Sequence, residues 1–173
     1  MAKLQFAKKQ NDNNTLSTQT WKVMICDDEK EVHTITKAVL SDFVFKNKKI
    51  EFLSAYSSEE AIPILKENND IAMILLDVVM ENDMAGLNLV KIIRDELKNK
   101  MIRIVLRTGQ PGYAPEKEVI QKYDINDYKE KTELTDIKLY TTVISALRSY
   151  KDLRAIERSK KGLEQVIEST RDI

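Results

Sequence analysis

Two stretches of this chain, Val23-Met24-Ile25-Cys26 and Ile71-Ala72-Met73-Ile74-Leu75-Leu76, are apolar at every position. Each is short for a helix and lacks the polar alternation of a strand with one wet face. Both therefore read as strands buried on two sides, which need covering layers above and below. Both runs end in carboxylates, Asp27-Asp28 after the first and Asp77 after the second. If the two strands are parallel neighbours, three carboxylates meet in one crevice at the sheet edge. Like charges that close oppose each other's ionisation unless something offsets them. A hard divalent cation bound through oxygens, Mg2+ in the first place, is the simplest offset.

Strand and helix signals alternate from residue 21 onward. Strands are predicted over 22–27, 49–55, 71–76, 101–107 and 125–128. Helices are predicted over 29–42, 58–68, 86–98, 115–123 and from Glu133 onward. In the first helix Val32, Ile35, Val39 and Leu40 form the predicted inward stripe, and His33, the one histidine, is expected on the exposed side. Ser57 and Glu60 have capping-box spacing for the second helix, where Pro63 is expected to bend the axis or shift the start. Gly109, Pro111 and Gly112 mark a turn, and Pro115 suits a first helical turn. Five strands alternating with five helices predict an α/β fold, a flavodoxin-like (βα)5 doubly wound parallel sheet. Its strand order 2-1-3-4-5 places the first and third strands side by side at the topological switch point.

Residues 1–20 are polar and without period, and read as a mobile tail; 21–150 form the domain; 151–173 extend the last helix. Leu139, Ala146, Leu153, Lys160 and Ile167 recur by sevens, with Ile156 and Leu163 at the d-type offset. This predicts a coiled-coil stub and a homodimer. Lys and Arg balance Asp and Glu across the 173 residues, so no broad field toward nucleic acid or membrane is expected. No apolar run approaches a membrane span, and the single cysteine, Cys26, sits inside a strand. A cytoplasmic protein with a buried, inert thiol is the expectation.

Thr108 follows the fourth predicted strand, and Lys131 follows the fifth with Tyr128 three residues before it. Val79, two residues past Asp77, can offer a backbone carbonyl. A phosphoryl group on Asp77 would need several oxygens neutralised, and a cation, an ammonium and a hydroxyl are suited to that. With the acidic pair Asp27-Asp28, Asp77 followed by Met80, Thr108, and Asp127-Tyr128-x-x-Lys131, the chain resembles the receiver domains of bacterial two-component response regulators. The resemblance covers about residues 21–150. It implies Asp77 as phosphoacceptor, and Mg2+ held by Asp28, Asp77, the Val79 carbonyl and, through water, Asp27. It further implies Thr108 and Tyr128 as a switch pair and Lys131 as the phosphoryl contact. The implied partner is a histidine kinase or phosphotransfer protein. Signalling is expected through the face of the fourth helix, fifth strand and fifth helix, with no enzymatic activity beyond autophosphorylation and autodephosphorylation.

The runs Arg107-Thr108-Gly109-Gln110-Pro111-Gly112 and Ile125-Asn126-Asp127-Tyr128-Lys129-Glu130-Lys131-Thr132-Glu133-Leu134 resemble receivers placed before larger regulatory regions, some of HD phosphodiesterase type. Four positions depart from the family pattern: Gly109 for Ala, Glu81 for Pro, Thr132 for Pro, and Gly86 one residue late. Lys129 competes with Lys131, but strand alternation sends it to the other face. The segment 43–49 is longer than usual and has no assigned role. A pseudo-receiver that only dimerises is the alternative reading. An aspartyl-phosphate hydrolase is more remote, because Val79 stands where such enzymes carry a second Asp.

Overall fold

The computed structural model describes residues 17–109, 116–123, 125–133 and 135–171. The expected tail over 1–16, the Pro111-Gly112 turn, Pro115 as a helix start, and Leu134 lie outside the described residues. The chain runs β1 (Trp21–Cys26), α1 (Lys30–Val39), β2 (Val44–Phe45), β3 (Lys48–Ala55), α2 (Ser58–Glu67), β4 (Met73–Asp77) and α3 (Ala85–Lys91). It continues through β5 (Arg103–Thr108), α4 (Glu116–Tyr123), β6 (Asp127–Glu130) and α5 (Asp136–Arg171). The strands form one sheet in the order β2-β3-β1-β4-β5-β6. The four pairings within β3-β1-β4-β5-β6 are all parallel, the doubly wound order expected from the sequence.

The sixth strand is the correction. Segment 43–49 folds back as β2, antiparallel to β3, with Val44 opposite Lys49 and Phe45 opposite Lys48. Lys46 and Asn47 between them both have positive φ, as a tight two-residue hairpin requires. The hairpin is held against the sheet by Trp21, whose indole N–H donates to the Phe45 carbonyl at 2.9 Å. Residues 17–20, counted with the tail by composition, are tied to the same corner. Ser17 N–H donates to the Asn47 carbonyl, and the Thr20 hydroxyl donates to Glu51.

Every residue of β4 is buried, as a run without polar alternation demands. Its side chains divide between two cores. Ile74 and Leu76 join Met24, Cys26, Ile104 and Leu106 beneath α2 and α3. Met73 and Leu75 join Val23, Val105, Leu139, Val143 and Leu147 beneath α1 and α5. At about 1.5–3 kcal/mol per buried large aliphatic side chain, these two layers are the main favourable term in folding.

In α1 the buried positions are His33, Thr36 and the following Leu40, while Ile35 is 61% exposed. Of the predicted inward stripe, Leu40 is buried and Val32 and Val39 are half-buried, while Ile35 turns to solvent and His33 and Thr36 take the inner face. In α2 the Ser57 hydroxyl accepts from Glu60 N–H at 3.2 Å, and the helix passes through Pro63 without ending. The third helix does not run regularly to 98. After Lys91 it makes one π turn, Ile92–Glu96, with Leu97 N–H bonded to the Ile92 carbonyl. That turn brings Arg94 inward, where it donates to the carbonyls of Asn99 and Ile102. No described helix is long and apolar enough to cross a membrane.

Helix α5 is 36 residues long and continues through Gly162. Leu139 and Ala146 are buried against the sheet, whereas Ile156, Leu163, Val166 and Ile167 are all more than half exposed. The sevenfold stripe thus begins as core and ends as an apolar line facing solvent.

Candidate functional site

The parallel register builds the site. Ile25 pairs with Leu75 and Leu75 with Val105, so two residues further on Asp27, Asp77 and Arg107 share one row and one face. Asp77 and Arg107 are direct partners across β4 and β5. The row lies at the carboxyl end of the central strands, where open α/β sheets place their ligand crevice.

Asp27, Asp28, Glu29 and Asp77 each offer a carboxylate oxygen, and these oxygens all lie within 4.8 Å of one another. Asp27 and Asp77 are buried, Asp28 and Glu29 exposed. Lys131 bridges three of the four. Its Nζ lies 2.7 Å from Asp77 Oδ2, 2.7 Å from Glu29 Oε1 and 3.2 Å from Asp27 Oδ2. Lys129 is not on the other face as expected: it stands opposite Arg107 in the same row, but its ammonium pairs with Asp127, at 3.4 Å. The 3-10 turn Lys131–Glu133 after β6 is what turns Lys131 back over the row.

The electrostatics follow from this packing. Burial pushes the Asp77 carboxyl above its ordinary value, against the opposing pull of the Lys131 hydrogen bond and charge. Burial also disfavours the Lys131 ammonium, but its hydrogen bonds to Asp77 and Glu29 and the charge of Asp27 outweigh that and raise it. The same Lys131 contact lowers Glu29. Four carboxylates against Lys131 and Arg107 leave two net negative charges. All the donors are hard oxygens, and Asp27 Oδ2 is buried without a hydrogen bond. That donor set fits Mg2+ and not a soft or nitrogen-seeking metal.

Local bonds fix each aspartate. Asp27 N–H donates to the Ala55 carbonyl, and Asp27 Oδ1 accepts from Glu29 N–H at 3.0 Å. Val78 N–H donates to the Arg107 carbonyl, and Asp77 Oδ1 accepts from Val79 N–H at 3.3 Å. Half-buried Val79 begins the loop after β4, and Gly86 N–H closes that loop on the Val78 carbonyl. A Cβ on Gly86 would lie 2.0 Å from the Asp77 carbonyl oxygen, so only glycine fits this approach.

Thr108 is buried at the end of β5, one residue past the partner of Asp77. Tyr128, opposite Leu106 in register, is buried in the core beneath α2 and α3. Cys26 is buried with Sγ 3.6 Å from Met80 Sδ, and burial and then Glu81 push its thiol up to about 12. It is therefore protonated and inert at neutral pH.

Residues that sequence reasoning missed complete the floor of the site. His33, expected outside, is 2% exposed. Its Nε2 lies 2.8 Å from the Asp27 carbonyl and its Nδ1 3.1 Å from Ser54 Oγ, with Tyr56 stacked at 4.4 Å. A carbonyl can only accept, so Nε2 carries the hydrogen. Arg107 reaches beneath the aspartates to Thr36 and Asp27. A charged residue in the otherwise apolar run Ile104-Val105-Leu106 was the available signal.

A sequence model of the response regulator receiver domain matches residues 23–144. A domain of unknown function (DUF3369) matches residues 143–173. The chain is 50% identical over 157 residues to a 3'3'-cGAMP-specific phosphodiesterase 2 of Vibrio cholerae serotype O1, covering 91% of this chain and 30% of that protein. It therefore spans under a third of that relative's length. Among solved structures, a CheY-like response regulator receiver domain protein from Methanospirillum hungatei superposes with a TM-score of 0.59. It is 25% identical, and the match covers 76% of this chain and 97% of that one. The signal receiver domain of an HD domain-containing protein from Pseudomonas fluorescens shares the fold at TM-score 0.66. There the identity is 17%, over 80% of this chain and 95% of the other.

Proposed function

Because the chain belongs to the response regulator receiver domain family, we propose that it accepts a phosphoryl group on Asp77 from a histidine kinase or phosphotransfer protein. The observation that carries this reading is the convergence of Asp27, Asp28, Glu29 and Asp77 within 4.8 Å, with Lys131 2.7 Å from Asp77. An Asp77 carboxylate oxygen attacks phosphorus as the bond from phosphorus to the donor imidazole nitrogen breaks. The electron pair stays on that nitrogen, which takes up a proton. Lys131 Nζ and the Thr108 hydroxyl donate to the phosphoryl oxygens. Asp28, Asp77 and the Val79 carbonyl would hold Mg2+, with Asp27 reaching it through water. Bound there, Mg2+ neutralises charge on the transferring group.

The partition between Asp27 and Asp28 has a physical basis. Asp27 is already faced by two cations and a backbone N–H, whereas Asp28 is exposed and forms no ion pair among the described residues. Phosphorylation is read out through the α4-β6-α5 face and along α5. The exposed stripe Ile156, Leu163, Val166 and Ile167 is the natural seam for a second copy. The chemistry of this segment ends with formation and loss of the aspartyl phosphate. A phosphodiesterase reaction like that named for the Vibrio relative would belong to residues outside it.

The test is incubation with acetyl phosphate and Mg2+, read by intact mass, for wild type and Asp77→Ala. In parallel, sedimentation is measured with and without beryllofluoride. One added phosphoryl group that depends on Asp77 is expected, with a larger sedimentation coefficient on beryllofluoride. Absence of Asp77-dependent mass gain would sink the phosphoacceptor reading and leave the dimerising pseudo-receiver. An unchanged sedimentation coefficient would sink only the dimer switch.

A further inference from the structure

We infer that Arg107 is a built-in counter-cation of the acidic pocket, a positioning residue that holds Asp27 from beneath and weakens the grip of the four carboxylates on a divalent cation. This rests on the proposal that Asp27, Asp28 and Asp77 form a Mg2+ pocket. Arg107 lies on β5, Asp77 on β4 and Asp27 on β1, all in one row. The side chain therefore passes under its own partner, Asp77, to reach the aspartate two strands away. There Nη2 lies 3.5 Å from Asp27 Oδ2, and Nη1 donates to Thr36 Oγ1 on α1 at 3.2 Å.

This placement is costly. The guanidinium is 3% exposed, and Nε and Nη2 have no hydrogen-bond partner among the described residues. Burying a guanidinium with one hydrogen bond and one loose ion pair loses more hydration than the contacts return. The neighbours Ile104, Val105 and Leu106 show that an aliphatic residue would suit the strand. What the arginine supplies is a charge that cannot leave. Lys131 is partly open to solvent and shared among three carboxylates, Asp77 included, whereas Arg107 is enclosed and its one ion pair among the described residues is with Asp27.

The 3.5 Å separation also leaves Asp27 Oδ2 free of any hydrogen bond, so the oxygen keeps a lone pair for a water. Removing Arg107 takes the pocket from two net negative charges to three. Lys131, 3.2 Å from Asp27, still faces that carboxylate, so the added attraction for the cation decides the outcome.

Isothermal titration with Mg2+ tests this on wild type, Arg107→Met, Arg107→Lys and Thr36→Val. Arg107→Met should bind Mg2+ about tenfold more tightly, while the two variants that keep the charge stay near wild type. Equal or weaker binding by Arg107→Met, with wild type binding, overturns the inference alone. A wild type that binds no Mg2+ overturns the pocket reading and this inference with it. A second measurement needs no variant. The Arg107 Nε–H resonance should shift at saturating Mg2+ while that of Arg94 does not, and an unmoved Arg107 signal would equally overturn it.

Discussion

Replacing Gly86 with alanine tests how tightly α3 is seated on the strand that carries Asp77. A Cβ there would lie 2.0 Å from the Asp77 carbonyl oxygen and under 3.0 Å from Val78 Cα and Asp77 C. All three neighbours are backbone, so none can rotate away, and the start of α3 must retreat by more than about 1 Å. Overpacking of this kind costs about 3 kcal/mol, against which alanine in a helix returns about 1 kcal/mol of propensity. The net loss is about 2 kcal/mol, which lowers a urea midpoint by about 1 M at a typical slope. Trp21, the one tryptophan, is 8% exposed and reports unfolding by fluorescence. Gly162→Ala supplies the opposite sign within the same chain. Its Cβ meets nothing within 4 Å, so α5 should gain about 0.5–1 kcal/mol locally, seen as helicity retained on heating. A Gly86→Ala protein as stable as wild type would refute the argument, because propensity alone would then govern both sites.

Three further outcomes follow from the site. Burial raises the Asp77 carboxyl, so its ionised form is penalised in the folded state; that penalty is absent below the unfolded pKa and complete above the folded one. Asp77→Asn in EDTA should therefore melt higher than wild type at pH 7, with the gap closing toward about pH 4; a gap constant with pH contradicts this. Lys131→Met leaves buried Asp27 and Asp77 without their ammonium and should lower the melting temperature at neutral pH, whereas Lys129→Met, which breaks one partly exposed pair, should change stability by less than about 0.5 kcal/mol. Equal effects in thermal melts would undo the assignment of Lys131 to the site. His33→Ala removes the bridge between the Asp27 carbonyl and Ser54 and should cost about 2 kcal/mol or more in urea unfolding, a result that an exposed histidine could not give.

The sheet and its acidic edge were legible in the sequence because they rest on short-range features. An unbroken apolar run of four to six residues has few places to go except the centre of a covered sheet, and a carboxylate after it must sit at the strand end. Crossovers between parallel strands have one favoured hand, and the doubly wound order they predict sets Asp27 beside Asp77 before any distance is known. Strand alternation did not separate Lys131 from Lys129, because residues two apart share a face; the 3-10 turn after β6 is what carries Lys131 to the aspartates.

Tertiary structure decided what periodicity leaves degenerate. In α1 the stripes Val32-Ile35-Val39 and His33-Thr36-Leu40 have identical spacing and differ by one residue. Apolar content favours the first, but the second is buried, because His33 has the Asp27 carbonyl and Ser54 to satisfy it and Thr36 has Arg107. The hairpin at β2 was hidden for a related reason, since Lys46-Asn47 is a poor advertisement for the positive φ angles it adopts. The sequence by itself determined that three aspartates would meet at one sheet edge. Only the fold placed Arg107 in their row, because a charge that is too costly to bury alone becomes tolerable once an acidic neighbour two strands away is brought within reach.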